Sequence, residues 1–166
     1  AFRPRAIIRC MTRGTTYTLT VELWIPRPID EVFAFFGDAF NLQVITPPWL
    51  YFQILTPAPI EMQVGRLIDY KLRLRGIPLR WQSEITAWEP PHRFVDEQRR
   101  GPYRVWIHEH LFSEERGGTL IRERVEYAVP GGGLVRRLLV APQLDAIFEY
   151  RKEKIAQILG APEKVG

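Results

Sequence analysis

The sequence predicts one α+β domain, in which a curved antiparallel sheet of about six to seven strands wraps around a long C-terminal helix, with two short helices after the first strand. Segments of alternating apolar and polar residues follow one another along most of the chain, joined by short turns rich in glycine and proline. Strands connected in this way pair antiparallel. The last segment precedes the longest stretch of helical periodicity, whose apolar stripe must be buried against the sheet.

The first strand is predicted for residues 15–25, where apolar side chains occupy every second position. Pro26 ends this strand, because proline has no amide hydrogen to donate to a neighbouring strand. The acidic residues Asp30 and Glu31 suit the start of a short helix, since they complement the helix dipole. A second short helix is expected to end before Pro47.

Further strand-like segments follow the second helix. They cover residues 50–56, 65–75, 79–89, 93–100, 103–112 and 119–129. After a glycine hinge at residues 131–133, apolar residues at helical spacing run from Leu134 through Leu138 to Leu159. Pro142 is expected to kink or divide this helix.

Length and composition indicate one domain with its own hydrophobic core. The chain has 166 residues, of which 46% are hydrophobic, and this suffices for a buried core. We assign residues 15–160 to the domain and residues 1–14 and 161–166 to tails. No apolar run is long enough for a transmembrane span. The single cysteine, Cys10, cannot form an internal disulfide, which fits a reducing, cytoplasmic compartment.

The net charge of +4 does not indicate a nucleic-acid-binding protein. Four of the 23 basic residues lie within residues 1–14, which carry no acidic residue. The remaining 19 basic residues match the 19 acidic ones, so the rest of the chain is neutral. Because no basic stripe interleaved with aromatic residues is present, nucleic acid is not an expected partner.

The most unusual pattern lies in the predicted strand at residues 103–112. With the two-residue period of a strand, one face carries Trp106, His108, His110 and Phe112. Tyr103 falls on the other face. If the histidine face points inward, His108 and His110 meet polar residues of the neighbouring strands. These residues are Asp96, Gln98 and Glu123.

Three interpretations of this polar cluster stay open from the sequence, because buried polar groups need partners. The first is a hydrogen-bonded network that stabilises the sheet and has no chemical role. The second is a polar patch that orients a bound ligand. In the third, His108 or His110 is a general acid or base, and Asp96 or Glu123 fixes its tautomer.

A carboxylate could also complete a three-ligand metal site with the two histidines of the His-x-His sequence. Two histidines without a third one nearby and without spaced cysteines are a weak signal. No metal and no cofactor is therefore predicted.

Several local sequences resemble the START-like superfamily, also called SRPBCC or helix-grip. The segments are Pro28-Ile-Asp-Glu-Val-Phe33, Ile45-Thr-Pro47, Trp88-Glu-Pro-Pro91 and Arg93-Phe94-Val95, together with Asp96-Glu-Gln98 followed by Gly101-Pro-Tyr103. The last of these, with the histidine strand, is similar to a ligand-binding subgroup of the superfamily. The resemblance covers the chain from Thr15 to Leu159. It implies a cavity between the sheet and the C-terminal helix for lipids, sterols, polyketides, quinones or similar molecules. It implies no single activity, since members include carriers, aromatase/cyclases and hydrolase-like enzymes.

We therefore expect a domain that binds a small, largely hydrophobic ligand, such as a lipid, quinone or polyketide, as a carrier or sensor. The expected ligand-binding residues are Tyr70, Trp81, Asp96, Gln98, Trp106, His108, His110, Phe112, Glu123 and Phe148. One alternative is a cyclase/aromatase or dehydratase with His108 or His110 as its catalytic residue. Another is a non-catalytic partner domain with a filled core. Trp24 and Trp88 are predicted to face outward.

Overall fold

A computed structural model describes residues 16–160 of the protein. The predicted tails, residues 1–14 and 161–166, lie outside these residues. The strands are β1 (Tyr17–Ile25), β2 (Gln53–Ile54), β3 (Leu67–Leu74), β4 (Ile77–Glu89), β5 (Arg93–Arg100), β6 (Val105–Glu115) and β7 (Gly118–Ala128). The helices are α1 (Ile29–Gly37), α2 (Asn41–Ile45), α3 (Gly132–Val135) and α4 (Ala141–Leu159). A 3₁₀ turn at Pro48–Leu50 follows α2, and π-helical turns at Arg136–Val140 join α3 to α4.

The seven strands form one antiparallel sheet in the order β1-β7-β6-β5-β4-β3-β2. From β2 to β7 each strand lies beside the preceding one, and β1 pairs with the other side of β7. The strands β5, β6 and β7 are therefore neighbours. Asp96 of β5 lies opposite His108 of β6, and His110 lies opposite Glu123 of β7. This register brings polar side chains from three strands together on one face.

Helix α4 packs a buried stripe against the sheet. The stripe consists of Leu144, Phe148, Arg151, Ile155 and Leu159, which are three or four residues apart. Leu144 and Phe148 share a hydrophobic cluster with Val125 of β7. Pro142 lies in the first turn of α4, where proline is tolerated because no intrahelical bond is lost. Within residues 16–160, no helix combines the length and the apolar character that crossing a membrane requires.

Helix α1 covers the sheet beside α4. Val32 and Phe33 are buried, and the ring centroid of Phe33 lies 6.0 Å from that of Phe94 and 5.3 Å from that of Phe112. Ile155 of α4 belongs to the same hydrophobic cluster. The two helices thus share one core on the inner face of the sheet, and the predicted helix-grip architecture is confirmed.

Two aromatic residues do not lie where strict alternation places them. Trp88 was expected to face outward, but its ring packs against Phe33 at 5.1 Å between centroids. The register of β4 shifts between Ile85 and Ala87, and this irregularity turns the following side chains over. Tyr103 was assigned to the face opposite the histidines, but β6 begins only at Val105, so the two-residue period does not reach it.

The apolar pattern of the C-terminal helix also reaches less far than predicted. Leu134 and Leu138 are 69% and 59% exposed and do not join the buried stripe of α4. The π-helical turns at Arg136–Val140 contain more residues per turn than an α-helix, so residues before them fall out of phase with α4.

Phe112 and Leu111 test which face of β6 points inward. Phe112 is 4% exposed, whereas Leu111 lies half-buried on the opposite face. We expect Phe112→Ala to lower the free energy of unfolding by about 3–5 kcal/mol, because it removes a ring from the shared core. Leu111→Ala should cost about 1 kcal/mol or less. Urea denaturation measures both, and equal losses would contradict the faces described here.

Candidate functional site

A cavity of about 180 Å³ lies between the sheet, the two N-terminal helices and α4. Most of its wall is apolar. Residues of this kind include Phe35 and Phe36 of α1, Ile68 and Leu72 of β3, and Leu144 and Phe148 of α4. Side chains of β3 alternate between buried and exposed here because only one face of the sheet is turned toward the helices.

One end of the cavity is polar. Asp96, His108, His110 and Arg151 line it. The two histidines and Arg151 are between 4% and 7% exposed, and the side chain of Asp96 is 20% exposed. Burial of four ionisable groups is costly unless they pair with one another.

The two histidines lie side by side, because residues two apart on a strand project to the same face. Their ring centroids are 3.8 Å apart. Each ring turns one nitrogen toward Asp96 Oδ2: His110 Nε2 lies 3.1 Å away and His108 Nδ1 lies 3.7 Å away. The first of these contacts is a hydrogen bond.

The other nitrogen of each ring faces Glu123. His110 Nδ1 and His108 Nε2 lie 3.3 Å and 3.5 Å from Glu123 Oε1. Neither nitrogen makes a hydrogen bond with any described residue. The imidazole pair therefore stands between two carboxylates, one at the cavity and one behind it.

Arg151 connects this arrangement to helix α4. Its Nη2 donates to Glu123 Oε1 at 2.8 Å, and both side chains are almost completely buried. Glu123 does not line the cavity, whereas Arg151 does. The pair couples the buried stripe of α4 to strand β7 of the sheet.

The carboxyl groups stay ionised despite their burial. Burial alone would raise the pKa of Glu123, but Arg151 and the two imidazoles outweigh it and hold that pKa well below its usual range. Burial also opposes ionisation of Asp96, and the hydrogen bond from His110 together with His108 lowers its pKa nonetheless.

The histidines shift in opposite directions. Burial, and then the neighbouring His110, lower the pKa of His108. Burial acts on His110 in the same sense, but the hydrogen bond with Asp96 and the proximity of Glu123 outweigh it and raise the pKa of His110. The pair thus favours one positive charge over two.

A second polar contact lies farther along the cavity wall. Ser83 Oγ accepts a hydrogen bond from Trp81 Nε1 at 3.1 Å and shares another with the Tyr70 hydroxyl at 2.9 Å. Burial and the nearby Asp96 raise the pKa of Tyr70 well above its usual range, so this phenol stays neutral.

Seven of the ten predicted ligand-binding residues line the cavity. They are Tyr70, Trp81, Asp96, Trp106, His108, His110 and Phe148. The other three lie nearby in different surroundings. Gln98 bonds to the backbone of Tyr103 through both ends of its amide, Phe112 packs in the shared core, and Glu123 stands behind the histidines.

Sequence reasoning missed Arg151 and the inward position of Tyr103. Arg151 occupies a position of the α4 stripe that is otherwise apolar, and an arginine at such a position signals a buried acidic partner. Tyr103 packs against Trp81 and Trp106, at centroid distances of 5.5 and 4.7 Å. The two-residue period of a strand does not predict the side-chain direction of a residue that lies just outside the strand.

One group of side chains has the composition of a metal site. Asp96, His108 and His110 each offer one donor atom, and the three atoms lie within 4.8 Å of one another.

No protein-family model matches the sequence, and no curated protein matches it significantly. The structure of this chain does match solved structures. A protein of Mycobacterium smegmatis is 19% identical with a TM-score of 0.67, over 94% of this chain and 98% of the other. A protein of Chromobacterium violaceum is 13% identical with a TM-score of 0.68, over 87% and 99%. A major latex-like protein of Panax ginseng is 12% identical with a TM-score of 0.65, over 88% and 99%. At these identities the likeness shows the fold alone.

Arg151→Met tests whether the ion pair with Glu123 stabilises the fold. We expect the free energy of unfolding to fall by about 3–5 kcal/mol, because the substitution leaves a buried carboxylate without its partner. The double variant with Glu123→Gln should recover most of this loss, since it removes the charge. Chemical denaturation measures both.

The matched control is Arg122→Met. Arg122 pairs with Glu22 at 2.7 Å, but these side chains are 49% and 56% exposed, so the loss should be about 1 kcal/mol or less. A similar loss in Arg151→Met and Arg122→Met would contradict the structural role of the buried pair.

Proposed function

We propose that this domain binds a small, largely hydrophobic ligand in the cavity between the sheet and α4, as a carrier or sensor. The observation that supports this most directly is the cavity itself, about 180 Å³ in volume and walled mostly by apolar side chains. Ligand sites of proteins are concave, mainly apolar and equipped with a few placed polar groups. A partner domain with a filled core would not need such a space.

The aromatic side chains of the wall suit a ligand that contains rings or long apolar segments. Trp81 and Trp106 meet edge to face, with centroids 5.3 Å apart and an interplanar angle of 88°. Tyr70 stacks on Trp81 with ring centroids 5.9 Å apart. These residues offer both faces and edges of rings to a bound molecule, and aromatic contacts favour such geometries.

The polar end of the cavity favours a ligand with one oxygen-containing group. Asp96 and the two histidines lie together there, while most of the remaining wall is apolar. A ligand of this kind would place its polar group against these residues and its apolar body along Ile68, Leu72 and Phe148. Polar contacts at one end fix the orientation of the ligand, and the apolar wall supplies most of the affinity.

Native mass spectrometry of the gently purified protein, followed by solvent extraction, tests the proposal directly. We expect a discrete bound mass in the range of lipids, quinones or polyketides. The fluorescent apolar probe anilinonaphthalenesulfonate provides a second measurement that needs no natural ligand.

Ile68→Phe should weaken probe binding, because the larger side chain occupies part of the cavity. We expect affinity to fall at least tenfold, with a change in unfolding free energy of about 1–3 kcal/mol, as overpacking usually costs. Leu67→Phe is the matched control, since Leu67 precedes Ile68 on β3 but is 44% exposed on the opposite face. Equal affinities in the two variants, with no bound mass in the wild type, would overturn the proposed function.

A further inference from the structure

We propose that Asp96, His108 and His110 bind a divalent transition-metal ion at the polar end of the cavity. The donor atoms are Asp96 Oδ2, His108 Nδ1 and His110 Nε2, which lie within 4.8 Å of one another. They come from two neighbouring strands whose register holds Asp96 opposite His108. The site is therefore built on the sheet and not on mobile loops.

The two distances from the Asp96 carboxylate oxygen to the imidazole nitrogens are close to those between ligands of one ion. Two ligands that each bond to Zn²⁺ at about 2.0–2.1 Å in a tetrahedral arrangement are roughly 3.3 Å apart. Asp96 Oδ2 lies 3.1 Å from His110 Nε2 and 3.7 Å from His108 Nδ1. The donor atoms of the two imidazoles lie within 4.8 Å of each other, so the rings must turn toward each other for all three atoms to bind one ion.

The chemistry of the donor set also fits. Two imidazoles and one carboxylate, with further coordination positions open, form the ligand set of zinc hydrolase sites and of non-haem iron(II) sites. The ion would replace the proton that His110 Nε2 now donates to Asp96. A structural ion pair alone would not require both imidazoles to turn a nitrogen toward the same carboxylate oxygen.

Glu123 supplies the second independent observation. Histidines that bind metals usually donate their other ring N–H to a carboxylate or carbonyl, which fixes the tautomer. The two outer nitrogens, His108 Nε2 and His110 Nδ1, are buried, have no hydrogen-bond partner among the described residues, and face Glu123 Oε1 at 3.5 and 3.3 Å. With both of these nitrogens protonated toward Glu123, the inner nitrogens present lone pairs beside Asp96. Glu123 is thus a positioning residue, and Arg151 balances its charge.

The open positions of the ion would face the cavity. Asp96, His108 and His110 line the cavity, whereas Glu123 does not. The two carboxylates and Arg151 together carry one negative charge, so a divalent ion leaves one positive charge toward the cavity. An oxygen anion, such as hydroxide or a ligand's carboxylate, phenolate or enolate, would neutralise it. Only the suggestion that a bound ligand supplies this oxygen anion rests on the proposed function.

Metal binding can be measured on the full chain without an affinity tag, after dialysis against a chelator. Zn²⁺ titration followed by calorimetry should give one site per chain. Co²⁺ should produce visible d–d absorption, which reports coordination by nitrogen and oxygen ligands. Cys10 lies outside the described residues and is a potential thiolate ligand, so both titrations are repeated with Cys10→Ser, which should behave as the wild type does.

Variants locate the site. His108→Gln and His110→Gln should each weaken Zn²⁺ binding at least 100-fold, because each removes a ligand. Glu123→Gln should keep one site per chain but weaken it about 10- to 100-fold, as is typical when a residue that orients metal ligands is lost. His92→Gln is the matched control, since His92 is exposed in the turn before β5, and it should leave affinity unchanged.

A second measurement needs no histidine variant and therefore still tests the proposal if a variant fails to fold. It follows the imidazole ¹⁵N resonances of the wild-type chain by NMR during Zn²⁺ titration. Zn²⁺ should shift His108 Nδ1 and His110 Nε2 as coordinated nitrogens and leave His92 unmoved. Absence of Zn²⁺ and Co²⁺ binding at millimolar concentrations, or binding that persists in both histidine variants, would overturn the proposal. Zn²⁺ binding together with no bound mass and equal probe affinities of Ile68→Phe and Leu67→Phe would overturn the proposed function only. A bound hydrophobic molecule without Zn²⁺ or Co²⁺ binding would overturn the metal site only.

Discussion

The ion pair between Arg151 and Glu123 is the interaction on which the interior of this protein depends. It joins helix α4 to strand β7, and the two side chains are only 8% and 6% exposed. A buried charge is tolerated only while it is paired with a charge of opposite sign. Movement of α4 away from the sheet would therefore leave Arg151 and Glu123 unpaired in an apolar core. The hydrophobic stripe of α4 supplies attraction without a fixed register, whereas this pair specifies where along the sheet the helix lies.

The same pair determines the character of the histidines in front of it. Burial pushes the pKa of both imidazoles down and Glu123 pushes it up, while Arg151 keeps Glu123 ionised by lowering its pKa. On the side of the cavity, Asp96 Oδ2 forms a hydrogen bond with His110 Nε2. Asp96, the two histidines, Glu123 and Arg151 thus form a row that runs from the cavity to helix α4. In this row the carboxylates alternate with the histidines and the arginine. Asp96 lies on β5, the histidines on β6, Glu123 on β7 and Arg151 on α4. Buried polar networks are rigid when every member has a partner, and in this one His108 Nε2, His110 Nδ1 and Arg151 Nε make no hydrogen bond with any described residue.

Most of the fold and the polar cluster could be predicted from the sequence, because both follow from periodicity. The two-residue period of β6 placed His108 and His110 on one face, and short turns between β5, β6 and β7 made Asp96 and Glu123 their neighbours. The strand bulge in β4 could not be predicted, since alternation continues through it in the sequence while Trp88 turns inward.

Other features depended on distances that no pattern encodes. The volume of the cavity is set by how far α4 stands from the sheet, and this distance is the sum of many side-chain contacts. Gln98 has the same strand face as Asp96, yet its amide reaches the backbone of Tyr103 and not the cavity. Arg151 was overlooked because a charged residue in an amphipathic helix ordinarily lies on its exposed face.

The buried position of Arg151 also has a consequence for how this sequence can change over time. A single substitution at position 123 or 151 leaves a buried charge without its partner. Replacement of both residues by apolar side chains of similar volume keeps the core intact. Related chains that share this core should therefore carry either both charges or neither. Chains that have lost both would keep α4 packed on the sheet, but their two histidines would lack the carboxylate that faces both rings in this chain.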